Sequence, residues 1–231
     1  RGGKLVSADV GFVVGKTVNG AVPTADQVYT FKLDELVDGD WSNIQTKSNN
    51  LGEITFDEIL YAANATHWYR IYEDPSSVST GNPDPTWYVL KVVVTSHQEG
   101  EDTIYTLEST AYKVTDKDNL ITNGQINENA ITDTVDGETI GDVSNITFVN
   151  EEFGHLQLQK TISGAELTEN KTFKFTVTRD NVYYYIEDGE TKSSDTVQYV
   201  EVTVKAGETT ALSEILKLLP GTYQVTEYTG S

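Results

Sequence analysis

The chain has no cysteine among its 231 residues. Thiol redox chemistry, zinc–thiolate sites and disulfide staples are thereby excluded. Basic side chains are scarce: 16 Lys and Arg stand against 36 Asp and Glu, a formal charge of −20. Such a field repels nucleic acid and anionic membrane, so neither is an expected partner. The ordinary reading of the charge is solubility and mutual repulsion at a crowded surface. No apolar run approaches the ~20 residues of a membrane-spanning helix. Catalytic arrays are also missing. His67, His97 and His155 are scattered without an HExxH pair, no Ser sits in a G-x-S-x-G setting, and no glycine-rich phosphate loop occurs. Asp116, Asp118 and Asn119 form an acidic loop, but Leu120 and Ile121 spoil calcium-loop spacing. No metal, no cofactor and no turnover enzyme is expected.

What the chain does have is alternation. Strand-like runs recur along its length, among them Gly11–Val18, Val28–Leu33, Trp68–Glu73, Thr86–Ser96, Thr103–Val114, Ile146–Asn150, Leu156–Ile162, Thr172–Thr178, Val197–Val204 and Thr222–Tyr228. Turn chemistry separates them at VDGD (37–40), GNPDP (81–85), DGE (188–190) and KAGE (205–208). Short helical turns are expected at Phe56–Ala62 and Leu212–Leu218. Many short strands between turn signals predict an all-β chain of β-sandwich type.

The chain also repeats itself. From Lys16 it reads KTVNGAVPTADQVYTFKL, and from Lys160 it reads KTISGAELTENKTFKFTV, aligned without a gap at an offset of 144 (160 − 16). Thr17/Thr161, Gly20/Gly164, Ala21/Ala165, Thr24/Thr168 and Phe31/Phe175 coincide. FDEILY (Phe56 to Tyr61) then resembles LSEILK (Leu212 to Lys217), and Tyr69-Arg-Ile71-Tyr-Glu73 matches Tyr223-Gln-Val225-Thr-Glu227. The repeat is longer than a solenoid unit, so two tandem domains are expected, 1–152 and 153–231. The boundary falls near Glu151 to His155.

Within this plan, polar residues occupy rows that should face a core. Alternate side chains of a strand share a face. Lys16 lies in the row Phe12, Val14, Lys16, Val18, and Lys160 in the row Leu156, Leu158, Lys160, Ile162. Glu73 ends the row Tyr69, Ile71, Glu73, and Glu227 ends Tyr223, Val225, Glu227. In the first half Asn150 ends the row Ile146, Phe148, Asn150. A buried ammonium costs several kcal/mol unless it is paired, loses its proton or reacts. Lysine, carboxylic acid and carboxamide in one dry site are what an intramolecular amide bond requires. The desolvated amine attacks, the acid polarises the carboxamide and shuttles protons, and ammonia leaves. Confinement supplies the effective concentration. The competing reading is a buried ion pair without chemistry, or for Asn150 a turn or capping residue.

Taken together, these segments resemble the isopeptide-bonded Ig-like domains of Gram-positive surface proteins, namely streptococcal pilin isopeptide-linkage repeats and CnaB-type domains. The residues that carry the resemblance are VVGKTVNG, VYTFKL, HWYRIYED and ITFVNEEF in the first half, and LQKTISG, FKFTVT and LLPGTYQVTEY in the second. The resemblance implies Lys16 as nucleophile, Asn150 as acceptor and Glu73 as catalytic acid, with Lys160 and Glu227 in the same roles in the second domain. That domain departs from the pattern in lacking a closing strand with its Asn; Asn170 and Asn181 come too early in the plan. The strand must then belong to a longer chain or to another molecule.

The implied function is mechanical: a stalk or shaft segment of a pilin or cell-wall surface protein, extracellular, joined by sortase to neighbouring subunits or cell wall. The lack of cysteine fits a cytosol or a Gram-positive surface, and the Thr, Val, Tyr and Asn richness favours the surface. No signal-peptide pattern opens the chain at Arg1, which suggests a mature fragment. Leu219-Pro220-Gly221-Thr222 resembles a sorting signal, but Tyr223 replaces the needed Gly, and a turn is the better reading. Asn64, Asn145 and Asn170 head N-glycosylation patterns that read as coincidental strand composition. The alternative function is an adhesin module that binds host extracellular ligands through its loops, with the polar stretch Thr115 to Ser144 as candidate.

Overall fold

The computed structural model describes residues 2–230, and among them regular structure is all β apart from three 3-10 turns. The chain divides into two compact units, Arg1–Glu151 and Glu152–Ser231.

The first unit packs two sheets face to face. The larger contains Leu5–Val6, Asp102–Val114, Trp87–Glu99, Ala65–Glu73, Thr30–Val37 and Asp40–Ser48 in that order, with Ile131–Thr132 also paired to Asp102–Val114. The smaller runs Glu53–Thr55, Val13–Val18, Thr147–Glu152, Gly81–Asn82. Its central pair is parallel, with Gly15 opposite Thr147, Lys16 opposite Phe148 and Val18 opposite Asn150. Inward rows from both sheets form one core, including Phe12, Val14, Phe31, Leu33, Ile54, Ile71, Leu90, Ile146 and Phe148. Hairpin turns follow the local chemistry. Asp38-Gly39 takes positive φ at both residues (52° and 83°) between Thr30–Val37 and Asp40–Ser48, the backbone twist that suits a two-residue hairpin.

The stretch 115–144 does not hang free. It forms the short hairpins Ile121–Thr122 with Gln125–Ile126 and Thr134–Val135 with Glu138–Thr139. Leu120 and Ala130 are buried with Val89 and Val114, and Trp41, Trp68 and Trp87 pack against them. Asp116 is engaged locally, accepting from the Asn119 side chain at 2.8 Å.

The second unit sets a sheet of Glu190–Ser194, Val182–Glu187, Lys171–Arg179, Val200–Val204 and Gln224–Glu227 against two ribbons. The ribbons are Gly154–Leu156 with Leu216–Leu218, and Gln159–Thr161 with Thr210–Leu212. Leu158, Phe175, Val177, Val202, Leu216 and Leu218 fill the space between.

Two expectations need correction. The DEIL and SEIL blocks are not helical turns: each runs from irregular chain into a short strand, Ile59–Tyr61 and Leu216–Leu218, which finds a partner strand, Ala8–Val10 and Gly154–Leu156 respectively. Their burial is also out of phase: Leu60 is 68% exposed whereas its sequence match Leu216 is fully buried. The expected continuous strand Leu156–Ile162 is interrupted at Gln157 and Leu158, where the Ser213 hydroxyl accepts from the Leu158 amide at 2.9 Å. Finally, Asp40–Ser48, Val182–Glu187 and Glu190–Ser194 are strands that the alternation does not reveal.

Candidate functional site

Lys16 enters from the middle of Val13–Val18, its neighbours Val14 and Val18 facing the same core. Glu73 enters from the opposite sheet, at the end of Ala65–Glu73, where it pairs in register with Phe31. Asn150 arrives on Thr147–Glu152, the parallel neighbour of the lysine strand. The site therefore lies between the sheets. Lys16, Glu73 and Asn150 retain 1%, 3% and 1% of their exposure, far below what a lone charge tolerates.

Contacts converge on Glu73. Lys16 Nζ lies 2.8 Å from Glu73 Oε2. The Asp84 amide donates both to Glu73 Oε1 at 3.0 Å and to Asn150 Oδ1 at 2.9 Å. Aromatic rings close the cavity: Lys16 Nζ is 5.0 Å from the Tyr29 ring centre and 5.7 Å from that of Phe31. Phe148 packs against Phe31 and Tyr88 with ring centres 5.2 and 5.3 Å away.

Burial sets the electrostatics. Desolvation lowers the pKa of Lys16, opposed by the hydrogen bond and charge of Glu73 and by the charge of Asp84. Desolvation raises that of Glu73, opposed first by Lys16 and then by the Asp84 amide. Both shifts favour moving the shared proton from nitrogen to oxygen, which leaves a free amine beside a carboxylic acid. The Asn150 side chain contributes the weakest of the hydrogen bonds that oppose the Glu73 shift; its Nδ2 lies beside the carboxylate but meets no acceptor at strict hydrogen-bonding geometry among the described residues. The buried carboxamide NH2 thus lies near both the amine and the acid without a well-formed bond to either. Unsatisfied, it costs about 1–3 kcal/mol.

The second unit reproduces half of this arrangement. Glu227 stands opposite Phe175, as Glu73 does opposite Phe31. Lys160 Nζ lies 3.0 Å from Glu227 Oε1 and 4.6 Å from the Phe173 ring centre, and Phe173 is the counterpart of Tyr29 at the 144-residue offset (173 − 29). The environment differs. The lysine and glutamate side chains are 21% and 36% exposed, against 0% for both in the first unit. Val225, expected inside, is 46% exposed. Among the described residues no strand pairs with Gln159–Thr161 on the side that Thr147–Glu152 occupies in the first unit. Leu219-Pro220-Gly221-Thr222 lies in the turn before Gln224–Glu227, where Arg179 donates to the Pro220 carbonyl and the Tyr223 hydroxyl to that of Leu219.

Sequence reasoning missed Asp84. The residue is only 9% exposed. Its carboxylate accepts from the Val149 amide at 2.7 Å and the Thr86 amide at 2.9 Å. The available signal was an acid held between Pro83 and Pro85 just before a long strand.

No protein-family model matches the chain, and comparison with curated proteins finds no match. Several solved structures match, and two of them align over most of the chain. The major pilin protein T3.2 of Streptococcus pyogenes shares 15% identity at a TM-score of 0.39, covering 97% of this chain and 84% of that one. The T-13 major pilin protein of the same species shares 14% at 0.37, over 97% and 83%.

Proposed function

We propose that Lys16 and Asn150 join in an isopeptide bond assisted by Glu73, and that the chain is a load-bearing segment of a Gram-positive pilus or cell-wall surface protein. One observation carries the reading: a lysine, an acid and a carboxamide are buried together between two sheets, the acid and the carboxamide bridged by one backbone amide. A plain buried ion pair would need no carboxamide aimed at it.

Proton transfer from Lys16 to Glu73 frees the amine. Nζ attacks Asn150 Cγ, and the carbonyl electron pair moves onto Oδ1. Glu73 delivers its proton to Nδ2 and takes one from Nζ, the Cγ–Nδ2 bond breaks, and ammonia departs. One amide replaces another, Glu73 is regenerated, and no outside reactant is consumed. Lys160 and Glu227 are the amine and acid of an equivalent reaction awaiting an acceptor. Linkage to neighbouring subunits through sortase completes the proposal.

The test is the intact mass of the full chain. Wild type weighs less than its sequence by one ammonia, and Lys16→Ala restores the full calculated mass and opens the first unit to trypsin. A wild type at full calculated mass ends the proposal.

A further inference from the structure

We infer that the Asp84 backbone N–H is the oxyanion donor of this reaction, and that the Asp84 carboxylate is the clamp that aims it. The inference rests on the isopeptide reading and adds a group outside the lysine–glutamate–asparagine set.

A single N–H is shared between the reacting carbonyl oxygen, 2.9 Å away, and the acid, 3.0 Å away. That sharing shifts in the productive direction. As Nζ bonds to Cγ, negative charge grows on Oδ1. At the same time Glu73 holds a proton and competes less for the donor. The N–H is therefore released toward the oxyanion when the oxyanion forms, with no solvent to reorganise.

The donor is also built to stay in place. Asp84 Oδ2 takes the Val149 amide, one residue from the acceptor, and Oδ1 takes the Thr86 amide. Gly81–Asn82 lies alongside the closing strand in the small sheet. Pro83 and Pro85 flank the residue. Proline fixes its own φ and restricts the residue before it. The loop is thus latched to the strand that carries Asn150, so donor and acceptor move together.

The experiment follows ammonia loss with time. The full chain is made by cell-free synthesis, aliquots are quenched in denaturant, and intact mass gives the linked fraction. An amide-to-ester replacement at position 84, made by incorporating the α-hydroxy acid of aspartate, removes the N–H and leaves the carboxylate. Loss of one oxyanion donor slows such chemistry by about 10²–10³-fold, and that slowing is the expected result with native circular dichroism retained. Asp84→Ala keeps the N–H but unlatches it and removes a charge that favours protonated Lys16. It is expected to close more slowly, with its pH–rate profile moved toward lower pH; the ester keeps the profile in place.

An ester variant that folds and closes at the wild-type rate overturns the inference while leaving the bond intact. A wild type that never loses ammonia overturns the bond itself. Should the ester fail to fold, linked wild type decides by nuclear magnetic resonance. The Asp84 amide must show core-like exchange protection and a through-hydrogen-bond coupling to residue 150 Cγ, and the absence of that coupling overturns the assignment.

Discussion

At the scale of single residues, Lys16 is the costliest choice in the first unit and therefore the most telling. Its side chain is fully buried, and among the described residues its only ion-pair partner is Glu73. Removing that partner without removing volume isolates the cost. In Glu73→Gln the bond is expected not to form, since no group remains to carry the proton, and an unreacted lysine stays in the core. Burial already lowers the Lys16 pKa from its ordinary 10.5, and the counteracting Glu73 is gone. The folded state then binds fewer protons than the unfolded state between that lowered value and 10.5. Stability of Glu73→Gln therefore rises with pH through this window, by up to about 1.4 kcal/mol per pH unit, and is lost as pH falls through it. Urea midpoints measured between about pH 7 and pH 10 check the sign. A Lys16→Met/Glu73→Gln protein should be flat by comparison, and a Glu73→Gln midpoint independent of pH would show that Lys16 is not buried as described.

At the scale of strands, the site is a problem of register. A side chain moves to the other face of a sheet when its strand slips by one residue. Exchanging Val149 and Asn150 (Val149→Asn with Asn150→Val) keeps composition and puts the apolar residue inside, where Asn150 is 1% exposed, and the carboxamide outside, where Val149 is 49% exposed. The exchanged protein is expected to fold and keep its full calculated mass; ammonia loss in this variant would mean that some other acceptor serves Lys16. The same alternation explains what could be read from sequence. Lys16, Glu73 and Asn150 each end or interrupt an apolar row, so their shared burial was legible in the sequence. Asp84 was not, because it acts mainly through a main-chain N–H in an irregular Pro-bounded loop, and backbone donors leave no side-chain pattern. Asp40–Ser48 stayed hidden for a different reason. It is an edge strand at most half-buried along its length, so no apolar row marks it. The DEIL and SEIL blocks misled because three-residue strands owe their conformation to partners distant in sequence, which local propensity does not report.

At the scale of the whole chain, the proposed Lys16–Asn150 bond would change what extension can do. It would span 134 residues (150 − 16), and by analogy with disulfide loop closure it constrains the unfolded ensemble by about 4–5 kcal/mol. That gain is modest beside its mechanical consequence. Lys16 and Asn150 stand on adjacent parallel strands of the small sheet, so with the proposed amide in place tension entering through one of these strands would cross it and leave through the other. Everything between the two residues would be bypassed. Extended chain spans at most ~3.3–3.6 Å per residue, so rupture of an unlinked first unit would release roughly 450 Å of hidden length. Single-molecule stretching of the full chain is expected to lack this step in wild type and to gain it in Lys16→Ala. The second unit has no linked Asn among the described residues, so its shorter step should appear in both proteins and mark each molecule as properly tethered. A step of roughly 450 Å in wild type would mean that the first unit yields like any unlinked sandwich, and the load-bearing role would fall with it.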